Sequence, residues 1–163
     1  MAEYVTSAQV DSYVADRPDS TAWTGATAGD KEDALKYSSK IIDSLLFVGK
    51  KYETDVTTQP LQWPRQIKTR HGWRIADLDS SGDAVVPQAI KDAVCEEILT
   101  RLSTVNSKRR QLQAGGVKSF KISEISETFD GSFQGGGVKG TPLWSWTAYH
   151  FLEPYLATGA RSR

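Results

Sequence analysis

An alternation of oxygen-bearing side chains is the clearest invitation to chemistry in this sequence: Asp77-Leu78-Asp79-Ser80-Ser81-Gly82-Asp83. Ligands at Asp77, Asp79, Ser81 and Asp83, with glycine sixth, follow the spacing of a calcium loop. The twelfth position is Gln88, however, which has no carboxylate to grip the ion, and Val86-Pro87 opens a helix too early. A Ser/Asp/Gly turn is therefore the stronger reading, and these four residues remain weak calcium candidates. Other reactive side chains are scattered. His71 and His150 lie far apart, neither beside a serine or cysteine in a nucleophile setting, and read as a solvated loop residue and a surface or capping residue. Cys95 sits inside an apolar helical pattern, which suits a buried, inert thiol. A single cysteine excludes an internal disulfide and a cysteine-based zinc cage. Gly135-Gly136-Gly137-Val138-Lys139-Gly140 lacks the spacing of a phosphate loop and its Ser/Thr after lysine. Without an acid, base and nucleophile set, no catalytic residue is assigned, no cofactor is expected and the chain reads as a non-enzyme.

Basic clusters offer binding chemistry instead. Arg65, Lys68, Arg70 and Arg74 run without an intervening acid and are flanked by Trp63 and Trp73. That mixture of charge and stacking surface suits single-stranded nucleic acid. In the competing reading Trp63 packs in the core and the cations are solvated or meet acids of another subunit. Twenty basic residues balance twenty acidic ones, so no overall positive field favours nucleic acid, and contact has to be local. Lys108, Arg109 and Arg110 carry the same ambiguity between DNA and an acidic partner.

The elements that must hold these groups are mostly helical. Val10, Tyr13 and Val14 recur at helical spacing behind caps at Thr6 or Ser7. Trp23 is expected to pin a Ser/Thr/Ala/Gly-rich segment onto the core. Ala34, Leu35, Ser38, Ile41, Ile42 and Leu45 form one continuous stripe, closed at Gly49. Pro87 at a first helical position starts a helix with Ile90, Val94, Ile98 and Leu102 every four residues, Glu96-Glu97 on its outer face, fading near Val105-Asn106. Seven of thirteen glycines then fall between Gly115 and Gly140, where alternation over residues 117–124 fits an extended strand or hairpin. Thr141-Pro142 is expected to cap a last helix bearing Trp144, Ala148, Phe151, Leu152 and Tyr155. The fold expected is mainly α: a small helical bundle with a glycine-rich extended arm or β-hairpin inserted before a C-terminal helix. Its parts are a helical core over 1–106, a basic, glycine-rich arm over 107–141 and a C-terminal helix and tail over 142–163.

Length suits one domain with an appended arm. No apolar run approaches the roughly 20 residues that span a bilayer, and Met1 is followed by polar residues without a signal peptide's apolar core. A cytosolic origin and no membrane partner are expected.

The order of local signals resembles a family of tailed-phage proteins. Tyr4-Val5-Thr6 with Ala8 and Tyr13 comes first, then Trp23, then Lys31-Glu32-Asp33-Ala34-Leu35 leading to Ile41-Ile42-Asp43 and Gly49-Lys50-Lys51. Gln59-Pro60-Leu61-Gln62-Trp63-Pro64-Arg65 follows, then Val86-Pro87 with Ala93 and Glu96-Glu97, and finally Phe151-Leu152-Glu153-Pro154-Tyr155-Leu156. This set is similar to the head-to-tail connector, or adaptor, proteins, whose relatives are often catalogued as DnaT-like single-stranded-DNA-binding proteins. The longer segment between Arg65 and Val86 and the glycine-rich insert before Trp144 depart from the pattern. The resemblance implies a structural virion protein, made in the host cytoplasm and placed at the virion neck. There it would assemble with itself as a ring, usually of twelve copies, under the portal protein, extend the channel for packaged DNA and dock a tail or nozzle protein. Residues expected at subunit, portal or tail interfaces are Lys118, Phe120, Ile122, Phe129, Phe133, Val138, Trp144 and Trp146. Those expected to face the channel or DNA are Arg65, Lys68, Arg70, Arg74, Lys108, Arg109 and Arg110. The alternative function is single-stranded-DNA binding.

Overall fold

A computed structural model describes residues 2–103, 119–122, 125–128, 138 and 140–157, with 119–122 and 125–128 described by their backbone pairing alone. Helix α1 (Ser7–Val14) begins with a reciprocal cap in which Thr6 Oγ1 accepts from Gln9 N at 3.3 Å and Gln9 Oε1 accepts from Thr6 N at 2.8 Å. Its Val10 and Val14 are buried. A single turn, α2 (Thr21–Thr24), puts Trp23 wholly inside, with its indole N–H donated to Asp11 Oδ1 at 2.7 Å. The polar end of a large apolar ring thus finds its partner, which makes the burial favourable. Helix α3 (Ala28–Asp43) carries a second reciprocal cap, Thr27 with Asp30, and buries Ala34, Leu35, Ser38, Ser39 and Ile42. It ends six residues short of Gly49; Leu45 is buried from the turn that follows, so the apolar stripe outlasts the helix.

Helix α4 (Gln88–Leu102) is the central element and packs against α1, α2, α3 and the last helix. Pro87 stands at its N-cap, one residue outside the helix. Glu96 and Glu97 do not line an outer face as the pattern suggests: both are buried. Each is matched by groups distant in sequence. Glu96 accepts from the Tyr13 hydroxyl at 2.6 Å and from Arg17 at 2.5 Å. Glu97 accepts from the backbone N–H groups of Trp144 and Ser145 at 3.0 and 2.9 Å and pairs with Arg101 at 2.6 Å. A buried charge is tolerated only when paired and hydrogen-bonded, and these contacts tie α1 and the C-terminal segment to α4. The Arg101 guanidinium lies between the rings of Tyr37 and Trp144, 4.8 and 4.4 Å from their centroids.

Helix α5 (Trp146–Leu152) is capped by Ser145, whose side chain accepts from Ala148 N at 3.1 Å; Thr141-Pro142 lies in the turn before it. A 3₁₀ turn (Glu153–Tyr155) containing Pro154 ends the helix.

Sheet structure corrects the expected mainly α bundle to a mixed α/β fold. Strands β1 (Lys50–Lys51), β2 (Arg65–Thr69) and β3 (Gly72–Ile75) form an antiparallel sheet in that order, outside the helical layer. A separate pair, β4 (Ser119–Ile122) and β5 (Ile125–Thr128), lies in the stretch read as an extended arm. The β1–β3 sheet escapes sequence inspection because its strands are two to five residues long and bear charges on both faces. Gly49 makes it possible. Its φ is +79°, and a Cβ there would meet the Gln66 carbonyl oxygen at 2.1 Å, so only glycine lets β1 approach β2. Among the described residues no helix is long and apolar enough to cross a membrane.

Candidate nucleic-acid interface

Register decides which cations share a face. Across β2 and β3, Gln66 pairs with Ile75, Ile67 with Arg74, Lys68 with Trp73 and Thr69 with Gly72, while Lys50 of β1 pairs with Gln66. Cross-strand partners point to one side and alternate residues to opposite sides. Lys50, Gln66, Lys68, Trp73 and Ile75 therefore occupy one face, and Lys51, Arg65, Ile67, Thr69 and Arg74 the other. Arg70 and His71 form the two-residue turn between the strands. Gly72, at φ +108°, takes the backbone out of that turn, and the Thr69 hydroxyl donates to the Gly72 carbonyl at 2.9 Å.

Trp73 is 48% exposed, and the Lys50 ammonium lies 4.8 Å from its ring centroid. Lys68, Arg70 and Arg74 are exposed as well. Among the described residues, none of Lys50, Lys68, Arg70 and Arg74 forms an ion pair with a carboxylate. The arrangement is a short basic hairpin with a half-exposed indole, and it can attract polyanions and offer a ring for stacking. Lys50 belongs to it but is not signalled locally, since strand pairing brings it from a position 23 residues before Trp73.

Arg65 leaves the set of DNA-facing candidates because it is only 6% exposed. Its guanidinium donates to the carbonyls of Val48 at 2.9 Å, Phe47 at 3.3 Å and Gly49 at 2.7 Å, and to Gln62 Oε1 at 2.6 Å. Burial pulls it below the usual arginine range. Trp63, 2% exposed, stands edge-on to Phe47 and Tyr155 at 5.5 and 5.2 Å. The Leu-Gln-Trp-Pro-Arg motif is thus a structural joint between the strand region and the C-terminal segment.

The remaining candidates separate in the same way. Val138 is buried in the core. Trp144 is partly buried over Arg101, whereas Trp146 is 52% exposed on the outer side of α5 beside Tyr149 and His150. Phe120 and Ile122 lie on β4, where pairing alone is described. Lys108, Arg109, Arg110, Lys118, Phe129 and Phe133 lie outside the described residues. At the calcium candidate, Asp79 Oδ1 accepts from Ser81 N at 2.8 Å and Asp83 N at 2.9 Å, and Asp77 Oδ1 accepts from Leu78 N at 3.0 Å. The Asp79–Ser81 bond is that of an Asx turn, and all three occupy the carboxylates with the loop's own backbone. Among the described residues no group of three His, Cys, Asp or Glu side chains could hold a metal ion. Cys95 is buried, and burial pushes its thiol up to about 12.

Residues 2–163 match the profile of the family described as "Putative DnaT-like ssDNA binding protein". No curated protein and no solved structure matches the chain.

Proposed function

From the premise that the chain belongs to this DnaT-like ssDNA binding protein family, we propose that it is a non-catalytic protein that binds single-stranded DNA through the β2–β3 hairpin together with Lys50. The observation that carries this reading is the placement of Lys50 and Lys68 on the face of a half-exposed Trp73, with Arg70 in the adjoining turn and no carboxylate paired to any of the three among the described residues. Phosphate neutralisation by such cations makes affinity fall with salt. Titration of the protein with oligothymidylate between low and moderate salt tests it. Binding whose logarithmic salt slope is no steeper than about −2, the limit for about three neutralised phosphates on a single strand, is expected. Absence of binding at low salt removes the reading.

A second reading, the head-to-tail adaptor of a tailed phage, is supported by the interlocking of the motifs that carry that resemblance. The Tyr4 hydroxyl donates to Asp43, which also accepts from Gln62 N at 2.6 Å; Trp63 meets Tyr155; and Tyr13 and Arg17 meet Glu96. The ordered set that resembles the adaptors is one connected scaffold in this fold. In this reading the protein forms a ring under the portal at the virion neck, the hairpin faces packaged DNA, and exposed Trp146 belongs to a contact with a neighbouring subunit, the portal or a tail protein. Mixing the protein with portal and imaging the product separates the readings. Rings on the portal without oligothymidylate affinity support the adaptor; bare portals with salt-dependent DNA binding support the first reading.

A further inference from the structure

We infer that the hairpin binds its nucleic acid from one side only, taking an unpaired base on Trp73 beside the cations of Lys50 and Lys68, while Arg74 takes no part. This rests on the single-stranded-DNA reading and adds which chemical group of the strand is held and by which face.

Lys68 stands directly across the ladder from Trp73, and cross-strand neighbours have Cβ atoms about 5 Å apart. Lys50, two residues further along through its pairing with Gln66, reaches the same ring from β1, on the far side of β2. The indole, on the edge strand β3, therefore meets a cation from each of the other two strands on its inner side, while 48% of the residue stays open to solvent. An exposed indole is costly to leave in water, and among the described residues no second aromatic ring covers it. A nucleobase supplies the missing ring, and every base has a π-face to offer, so the contact tolerates any sequence. Duplex DNA buries those faces in its own stack, which leaves only phosphates for the hairpin. Arg74 pairs with Ile67 and points to the opposite face, the one whose inner end is anchored by Arg65. A strand lying over Trp73 cannot meet Arg74 without crossing the sheet edge.

The test compares two polymers of equal length and charge at one low salt concentration: oligothymidylate and an abasic deoxyribose-phosphate chain. Stacking on Trp73 predicts that oligothymidylate binds about fivefold tighter or more. Trp73→Ala should bring the two polymers within twofold of each other, and Trp73→Leu, which keeps apolar bulk without a ring, should do the same. Trp73→Tyr should preserve the difference. Lys68→Ala should weaken both polymers equally and make the salt slope shallower, while Arg74→Ala leaves both affinities unchanged. Equal binding of the two polymers by the unaltered protein overturns the stacking inference and leaves the single-stranded-DNA reading standing. A loss on Arg74→Ala as large as on Lys68→Ala overturns the one-sidedness. Failure of both polymers to bind overturns the function and this inference together.

Discussion

Two tryptophan–arginine pairs, Trp63 with Arg65 and Trp73 with Arg74, sit ten residues apart in the same basic stretch and have opposite fates. Trp63 is enclosed by Phe47 and Tyr155, and Arg65 spends its donors on three backbone carbonyls and Gln62. Trp73 is half exposed, and Arg74 is exposed without an ion pair to any described carboxylate. The difference lies in what surrounds each pair. Arg65 begins β2 where the 47–49 segment runs alongside and its carbonyls need donors, an unmet cost in any buried position. Trp73 and Arg74 stand on the outer strand, past a turn, and are exposed among the described residues. A cation near a tryptophan is thus a fastener in one place and a contact surface in the other, and the first holds the sheet that displays the second.

The largest effect that could break this contrast is on stability. Trp63→Ala removes a buried ring with two aromatic neighbours and should cost about 3–5 kcal/mol in denaturant unfolding, whereas Trp73→Ala should stay within about 0.5 kcal/mol. Comparable losses for the two substitutions would show that Trp73 is part of the fold, and the stacking surface would lose its basis. Arg65→Ala comes next. It takes the donor from the carbonyl of buried Phe47 and from the partly covered carbonyls of Val48 and Gly49, and about 2–3 kcal/mol is expected from the unsatisfied groups. Arg74→Ala, made at an exposed position, should again change stability by no more than about 0.5 kcal/mol. An Arg65→Ala protein as stable as the parent would return that side chain to the list of possible DNA contacts.

Periodicity reveals what depends on one element and hides what depends on several. The α3 stripe from Ala34 to Ile42 and the α4 repeat of Ile90, Val94 and Ile98 are legible because each helix alone sets which residues face inward. The cap at Thr6, one of the two residues the pattern offers, is legible for the same reason, as its partner Gln9 lies three residues away. Glu96 and Glu97 are misplaced by that logic, since their burial is compensated by Tyr13, Arg17 and the backbone of Trp144 and Ser145, all remote in sequence. The β1–β3 sheet fails for a related reason. Its turn is Arg70-His71, without the Asn-Gly or Asp-Gly signal of a tight hairpin, and its strands carry little apolar alternation. Of the candidate interface, Lys68, Arg70, Arg74 and Trp73 could be listed from composition, but Lys50 and the division into two faces required the register.

The finest comparison uses glycines, one beside each pair. The Gly49 carbonyl accepts from Arg65 and the residue packs against β2, and a Cβ there would lie 2.1 Å from a backbone oxygen that cannot move without breaking the sheet. Gly72 precedes Trp73, and a Cβ there would meet nothing within 4 Å, so only its φ of +108° opposes a side chain. Gly72→Ala should therefore cost about 1–2 kcal/mol, the strain of an L-residue in that region, and Gly49→Ala should cost more because clash adds to strain. Thermal unfolding of the two variants measures the order. DNA affinity sharpens it further: Gly72→Ala changes only how the hairpin turns and should move Trp73 slightly, while Gly49→Ala separates Lys50 from the ring it flanks. A Gly49→Ala protein that remains folded yet binds oligothymidylate as tightly as the parent would show that β1 has no share in the interface. Trp73 and Lys68 would then have to do the work from β2 and β3 alone.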